Sequence, residues 1–187
     1  MRSDGSGGDL LCIPAGGSRF PTSATTVQDG LHFIQMNGSE VFRFASRVMV
    51  QATQEVVEAA HLDLDDVNLL IPHQANQRII ESAARGLDIS MDRVMVNLDR
   101  YGNTSTASIP IATCEAIEQG RLKPGDHVAF VGFGAGLTWG AAVVKWSGPF
   151  PSPRKVQPQR YRRLVRLRSI FLRLIRQIEG LIWGRGK

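Results

Sequence analysis

Val67-Asn68-Leu69-Leu70-Ile71-Pro72-His73-Gln74-Ala75-Asn76-Gln77-Arg78 is the stretch that decides the fold. Val67 to Ile71 is a short apolar run bounded by Asp66 and Pro72, the pattern of a buried strand. Gln74 to Gly86 then reads as a helix stopped by glycine. A histidine at such a joint lies where open α/β sheets bind ligands, just past the carboxyl end of a strand.

Working outward, Asp9 to Pro14 reads as a strand and the Gly/Ser/Thr-rich Ala15 to Asp29 as a long loop. Asn37, followed three residues later by Glu40, is a capping-box signature opening a helix to about His61. Val94 to Asn97 is a short strand, Ser105 to Gln119 a helix of small residues, and Lys123-Pro124-Gly125-Asp126 a turn. His127 to Phe133 and Thr138 to Trp146 are strands. Only Gly134-Ala135-Gly136-Leu137 separates these two, too short for a helical crossover, so they pair antiparallel. Strands alternating with helices give an α/β core, here a mixed five-stranded sheet with helices packed on it.

Two further segments place polar groups past strand ends. Tyr101-Gly102-Asn103-Thr104-Ser105 carries an asparagine before a helix, and Gly132-Phe133-Gly134-Ala135-Gly136 offers backbone N–H groups that a substrate can approach closely. A neutral imidazole and a carboxamide aimed at one oxygen stabilise an enolate or oxyanion without adding negative charge. Each feature alone has a plainer explanation: a capping histidine, an asparagine chosen for a left-handed turn, a tight glycine hairpin. Together they favour a site.

These segments, with Gly120-Arg121-Leu122-Lys123-Pro124-Gly125-Asp126 and Leu137-Thr138-Trp139-Gly140-Ala141-Ala142, resemble the C-terminal half of ketoacyl-ACP synthase III, a thiolase-fold condensing enzyme. The resemblance runs from about Ser3 to Trp146. It implies a thiolase-like half domain and a role at the start of type II fatty acid synthesis. In that reaction a cysteine takes a short acyl group from acyl-CoA, malonyl-ACP is decarboxylated, and the carbanion attacks the acyl-enzyme. His73 and Asn103 match the family's residues that polarise the malonyl thioester.

The resemblance also assigns supporting positions. Phe133 matches a phenylalanine near the nucleophile, and Gly134 and the Ala135 amide fall at the oxyanion pocket. Gly38, Phe42 and Asn76 match contacts to pantetheine, and Arg78 matches an arginine that docks the carrier. Arg43 and Arg85 fall where the family faces acyl carrier protein with basic residues, although both also read as ordinary solvated helix charge. The implied partners are acyl-CoA, malonyl-ACP, the carrier protein, and either a cysteine-bearing N-terminal half or a homodimer mate. No cofactor or metal is implied.

The family's nucleophilic cysteine lies in an N-terminal half that these 187 residues do not contain. Cys12 sits in a strand pattern and Cys114 well inside a helix, so neither occupies a helix N-terminus, where a thiolate is favoured. Both read as reduced, structural thiols of a cytoplasmic protein. The competing reading is a non-catalytic module that binds acyl-CoA or the carrier and is tethered to a membrane by its basic tail. A third is a truncated gene fragment.

Composition is globular, 43% hydrophobic and 21% charged, and the net charge of +5 hides two opposite regions. Residues 1–147 carry 11 Lys and Arg against 16 Asp and Glu, whereas residues 148–187 carry 11 against Glu179 alone. The folded domain is therefore acidic, which argues against nucleic acid as a partner. The start lacks the apolar stretch of a secretory signal, and no run of about 20 apolar residues reads as a transmembrane helix.

Three segments follow: a domain over 1–147, a proline-rich linker over 148–158, and a basic amphipathic tail over 159–187. At about 100° per residue the tail's leucines and isoleucines share a broad face opposite Arg162, Arg166, Arg173 and Arg176. The pattern suits a helix over 159–183 lying on an anionic membrane, which makes the protein cytoplasmic or peripheral. Packing on its own domain and disorder remain the alternatives.

Overall fold

The structure is a computed structural model and describes residues 1–148, 165–172 and 175. Residues 1–148 form one compact unit. In chain order its strands are β1 (Arg2–Ser3), β2 (Leu11–Cys12), β3 (Gln35–Met36), β4 (Val67–Pro72), β5 (His127–Gly134) and β6 (Thr138–Lys145). Its α-helices are α1 (Ala24–Gln28), α2 (Gly38–Ala59), α3 (Gln77–Gly86), α4 (Leu98–Tyr101) and α5 (Ser108–Glu118).

The main sheet has four strands in the order β1-β6-β5-β4. β4 and β5 are parallel, and β5 and β6 form the expected antiparallel hairpin. Alternation along β5 sends Ala129 and Val131 to one face and Val128 to the other. In β4 a register irregularity between Val67 and Leu69 breaks the alternation, so Val67 joins Leu70 on one face while Leu69 and Ile71 line the other. The first face is covered by α2 and α3, through Ala45, Met49, Ala52, Ile80 and Ala83. The second is covered by α5, through Ala112 and Ala116.

α2 forms where the pattern places it, α3 begins at Gln77 rather than Gln74 and α5 at Ser108 rather than Ser105, and α4 is a short helix the pattern did not show. Asn37 caps α2 by accepting the Glu40 N–H at 3.3 Å, and the buried positions Val41, Phe44, Ala45, Val48, Met49 and Ala52 follow helical spacing. The reciprocal half of the capping box is not formed, because the Glu40 carboxylate pairs with Arg43. α3 lies so close to α2 that a Cβ on Gly86 would come within 2.7 Å of Val50.

The sheet has four strands rather than the expected five, and two segments account for the difference. Asp9 and Leu10 belong to a 3-10 turn over Gly5–Leu10, which leaves only Leu11–Cys12 extended, and these pair with β3 in a separate two-stranded sheet. Val94 to Asn97 makes a single parallel bridge to Leu70. Beyond it the ladder is taken over by a side chain: Gln74 donates to the Met95 carbonyl at 3.1 Å and accepts the Asn97 N–H at 3.0 Å. The fourth strand is instead Arg2–Ser3, paired with β6. The expected loop over Ala15 to Asp29 contains α1, capped by Ser23.

The expected linker lies outside the described residues except for Gly148, and most of the expected tail helix does too. Residues 165–172 are helical, and among the described residues no helix is long and apolar enough to cross a membrane.

Candidate active site

The carboxyl end of β4 delivers His73, whose backbone N–H still bonds to the Val131 carbonyl of β5 at 2.8 Å. This ladder bond carries the histidine to the sheet's edge and fixes its direction. The ring meets Phe133 edge-on, with centroids 5.5 Å apart, and a Cβ on Gly132 would stand 3.6 Å from the His73 Cβ. Burial holds the His73 pKa below the ordinary histidine value of 6.5, so the ring is neutral at neutral pH.

His73 Nδ1 lies 2.7 Å from the Ser108 hydroxyl, at the start of α5. The same oxygen accepts the Gln74 N–H at 3.4 Å. Asn103 stands in the loop that leads to α5. Its Oδ1 accepts the Ser105 N–H at 3.0 Å, which holds Ser105 in a left-handed conformation at φ 52°. That conformation is uncommon for a residue with a side chain. Gly102, with φ 66° and ψ −163°, occupies a region that essentially only glycine adopts.

The same two ends are therefore tied in both residues. His73 uses Nδ1 and Asn103 uses Oδ1 to hold their own scaffold. Among the described residues, His73 Nε2 and the Asn103 amide nitrogen have no hydrogen-bond partner. Asn103 is exposed, and His73 is partly so. No direct bond joins them; Ser108 is the link between the loop's helix and the histidine.

The other expected site residues divide between two surfaces. Phe42 and Arg78 meet across α2 and α3, with the guanidinium 5.5 Å from the ring centroid, a cation–π distance. Asn76 caps α3 by accepting the Arg78 N–H at 2.9 Å, and its amide nitrogen remains available. Gly38 opens α2, where a Cβ would meet nothing within 4 Å. Arg85 is exposed in the last turn of α3. Arg43 pairs with Glu40 and lines a cleft of about 400 Å³, shared with Asp4, Arg47 and Leu137. Gly134 ends β5, and Ala135 and Gly136 form the exposed hairpin turn; Thr138 bonds back to the Ala135 carbonyl.

Sequence reading missed what holds the site. Gln74 is buried and bonds to the Pro72 and Met95 carbonyls and the Asn97 N–H. Asn97 in turn donates to buried Glu115, which also accepts from Gln119 and pairs with Arg100. The signal for Gln74 was its place beside His73 at a strand end. Ser108 gave none, since it stands among other small residues.

Residues 57–146 match the family model described as 3-oxoacyl-[acyl-carrier-protein (ACP)] synthase III C terminal. A β-ketoacyl-[acyl-carrier-protein] synthase III from Symbiobacterium thermophilum is 56% identical over 146 residues, covering 78% of this chain and 44% of that protein. The chain carries a C-terminal domain of the β-ketoacyl-ACP synthase III family. The synthase III from Clostridioides difficile is 52% identical over 147 residues, 79% of this chain and 45% of that protein. The crystal structure of the synthase III from Thermus thermophilus superimposes with a TM-score of 0.68 at 48% identity, over 79% of this chain and 45% of that one. The chain thus spans under half the length of the synthase III relatives it matches.

Cys12 lies in β2 and Cys114 is exposed in the body of α5. Neither stands at a helix N-terminus.

Proposed function

We propose that this chain supplies the decarboxylating part of a β-ketoacyl-ACP synthase III reaction, in which acyl-CoA and malonyl-ACP are condensed. The observation that carries the reading is the matched pair of tethers: Ser108 on His73 Nδ1 and the Ser105 N–H on Asn103 Oδ1. Each leaves a donor at the other end, Nε2–H and Nδ2–H.

In the proposed step the bond between the malonyl carboxylate carbon and the α-carbon breaks. Carbon dioxide leaves, and the electron pair moves into the thioester enolate. The two donors stabilise the charge growing on the thioester oxygen, an interaction stronger in the transition state than in the substrate. The enolate carbon then attacks the acyl thioester and expels its thiolate, giving β-ketoacyl-ACP. Phe133 packs His73, and Gly134 with the Ala135 amide forms the oxyanion pocket. Phe42 and Arg78, with Gly38 and Asn76, hold the pantetheine arm. Arg43 and Arg85 meet the acidic carrier. The acylated thiol lies outside these 187 residues, because neither cysteine stands at a helix N-terminus.

The test is release of carbon dioxide from malonyl-ACP by the chain mixed with the cysteine-bearing N-terminal half of a relative. Release that requires His73 supports the reading. Binding of malonyl-ACP without release would make the chain a carrier-binding module. An acetyl mass increment on Cys12 or Cys114 after acetyl-CoA treatment of the chain alone would overturn the placement of the thiol.

A further inference from the structure

The match to the synthase III family ends at residue 146, and the chain's net positive charge lies wholly beyond it. Residues 148–187 hold 11 Lys and Arg against one Glu, while residues 1–147 are net acidic by five. Within this segment residues 165–172, Val-Arg-Leu-Arg-Ser-Ile-Phe-Leu, are helical. All five apolar side chains are open to solvent: Val165 49%, Leu167 64%, Ile170 49%, Phe171 64% and Leu172 42% exposed. Arg166 and Arg168 are exposed on the same two turns.

On a helical projection Leu167, Ile170 and Phe171 fall within about 100° of arc, with Arg166 and Arg168 flanking them on either side. We infer that this helix is a docking face for an anionic lipid surface. The chemistry selects the partner. A nucleic acid would neutralise the arginines but leave leucine, isoleucine and phenylalanine in water. The headgroup region of an anionic bilayer takes both parts at once: apolar side chains enter the acyl boundary, and guanidinium groups reach up to the phosphates along their own methylene stems. The helix then lies in the plane of the interface and does not cross it, in keeping with its length and charge.

The experiment is co-flotation of the full 187-residue chain with vesicles, because aggregated protein sinks and does not register as bound. Vesicles of phosphatidylglycerol and phosphatidylcholine in equal parts are compared with phosphatidylcholine alone. The chain is expected to float with the anionic vesicles and to be released by added salt. Arg166→Glu with Arg168→Glu should reduce partitioning roughly thirtyfold or more, since each basic residue near such a surface contributes about a fourfold to sixfold gain. Leu167→Gln with Phe171→Gln should reduce it at least about tenfold by removing the buried apolar area. Equal flotation on neutral and anionic vesicles, no flotation on either, or undiminished flotation of the arginine variant would overturn the inference. None of these outcomes bears on the histidine and asparagine site.

Discussion

His73 and Ser108 are joined by a 2.7 Å contact between the imidazole Nδ1 and the serine hydroxyl, across 35 residues of chain. The serine oxygen also accepts the Gln74 N–H at 3.4 Å, and its hydroxyl can still either donate to Nδ1 or accept from it. A neutral imidazole that accepts at Nδ1 carries its proton on Nε2. The proposed enolate chemistry requires the contact to select that tautomer, with Ser108 donating to Nδ1 and the open nitrogen a donor.

Ser108→Ala should release that selection. Nitrogen-15 shifts of the His73 ring are expected to show an Nε2–H tautomer in the natural chain and a mixture in the variant. Decarboxylation in the complemented enzyme should fall about fivefold to tenfold, the worth of one hydrogen bond of roughly 1 kcal/mol. A ring protonated on Nδ1 in the natural chain would refute the tautomer argument and, with it, the role of His73 as a donor through Nε2.

His73→Ala and Asn103→Ala are expected to divide the two half-reactions. Each should suppress malonyl decarboxylation by about 10²–10³, the usual loss for one oxyanion donor. Transfer of the acetyl group to the thiol should survive, because it relies on backbone donors around Ala135. Single-turnover assays of the two steps measure this directly. Equal loss in both steps would mean that the pair holds the site together instead of acting on the malonyl oxygen.

Strands β4 and β5 and the cap at Asn37 were legible because each is local: apolar runs bounded by turn or polar residues and a side chain three residues from its donor. The sheet's fourth strand was not. Arg2 and Ser3 carry no strand pattern, and their pairing is decided by β6, more than 130 residues away. Val94 to Asn97 has a strand's composition, yet the Gln74 side chain takes the bonds a longer ladder would use. Of the residues in the proposed site, His73 and Asn103 were singled out from strand ends and loop composition. Ser108 was not, because a serine's role here is set by what faces it in space.

The compact unit leaves an unusual group of apolar side chains in water. Ile13, Phe20, Val27, Phe33, Ile34 and Met36 are each at least half exposed, and all fall within residues 13–36. Single apolar side chains are ordinary on a surface, but six of them within 24 residues of chain are the ground for expecting this segment to be covered by protein. The 187-residue chain is therefore expected to self-associate at micromolar concentration. Light scattering should report species above the mass of the single chain, and Phe33→Ser with Ile34→Ser should shift them toward it. A monodisperse monomer in the natural chain would show that these side chains do not form an interface.

Acid should act on the domain through His73. Its folded-state pKa is held below 6.5 by burial, whereas the unfolded chain titrates near 6.5. Between those two values the unfolded state binds more protons than the folded one, so stability falls as pH drops. The contribution is fully present above about pH 6.5, is lost progressively as pH falls toward the folded-state value, and levels off once both states are protonated. His73→Gln removes this titration. Urea midpoints measured from neutral pH downward should therefore decline more steeply below pH 6.5 in the natural chain than in the variant. Nuclear magnetic resonance of the ring should place its midpoint below 6.5 as well. The same shift keeps the imidazole uncharged across the neutral range, so decarboxylation by the complemented enzyme should not weaken on His73's account until the pH is below 6.5. A His73 midpoint at or above 6.5, or parallel urea profiles for the two proteins, would show that burial does not control the charge on this ring.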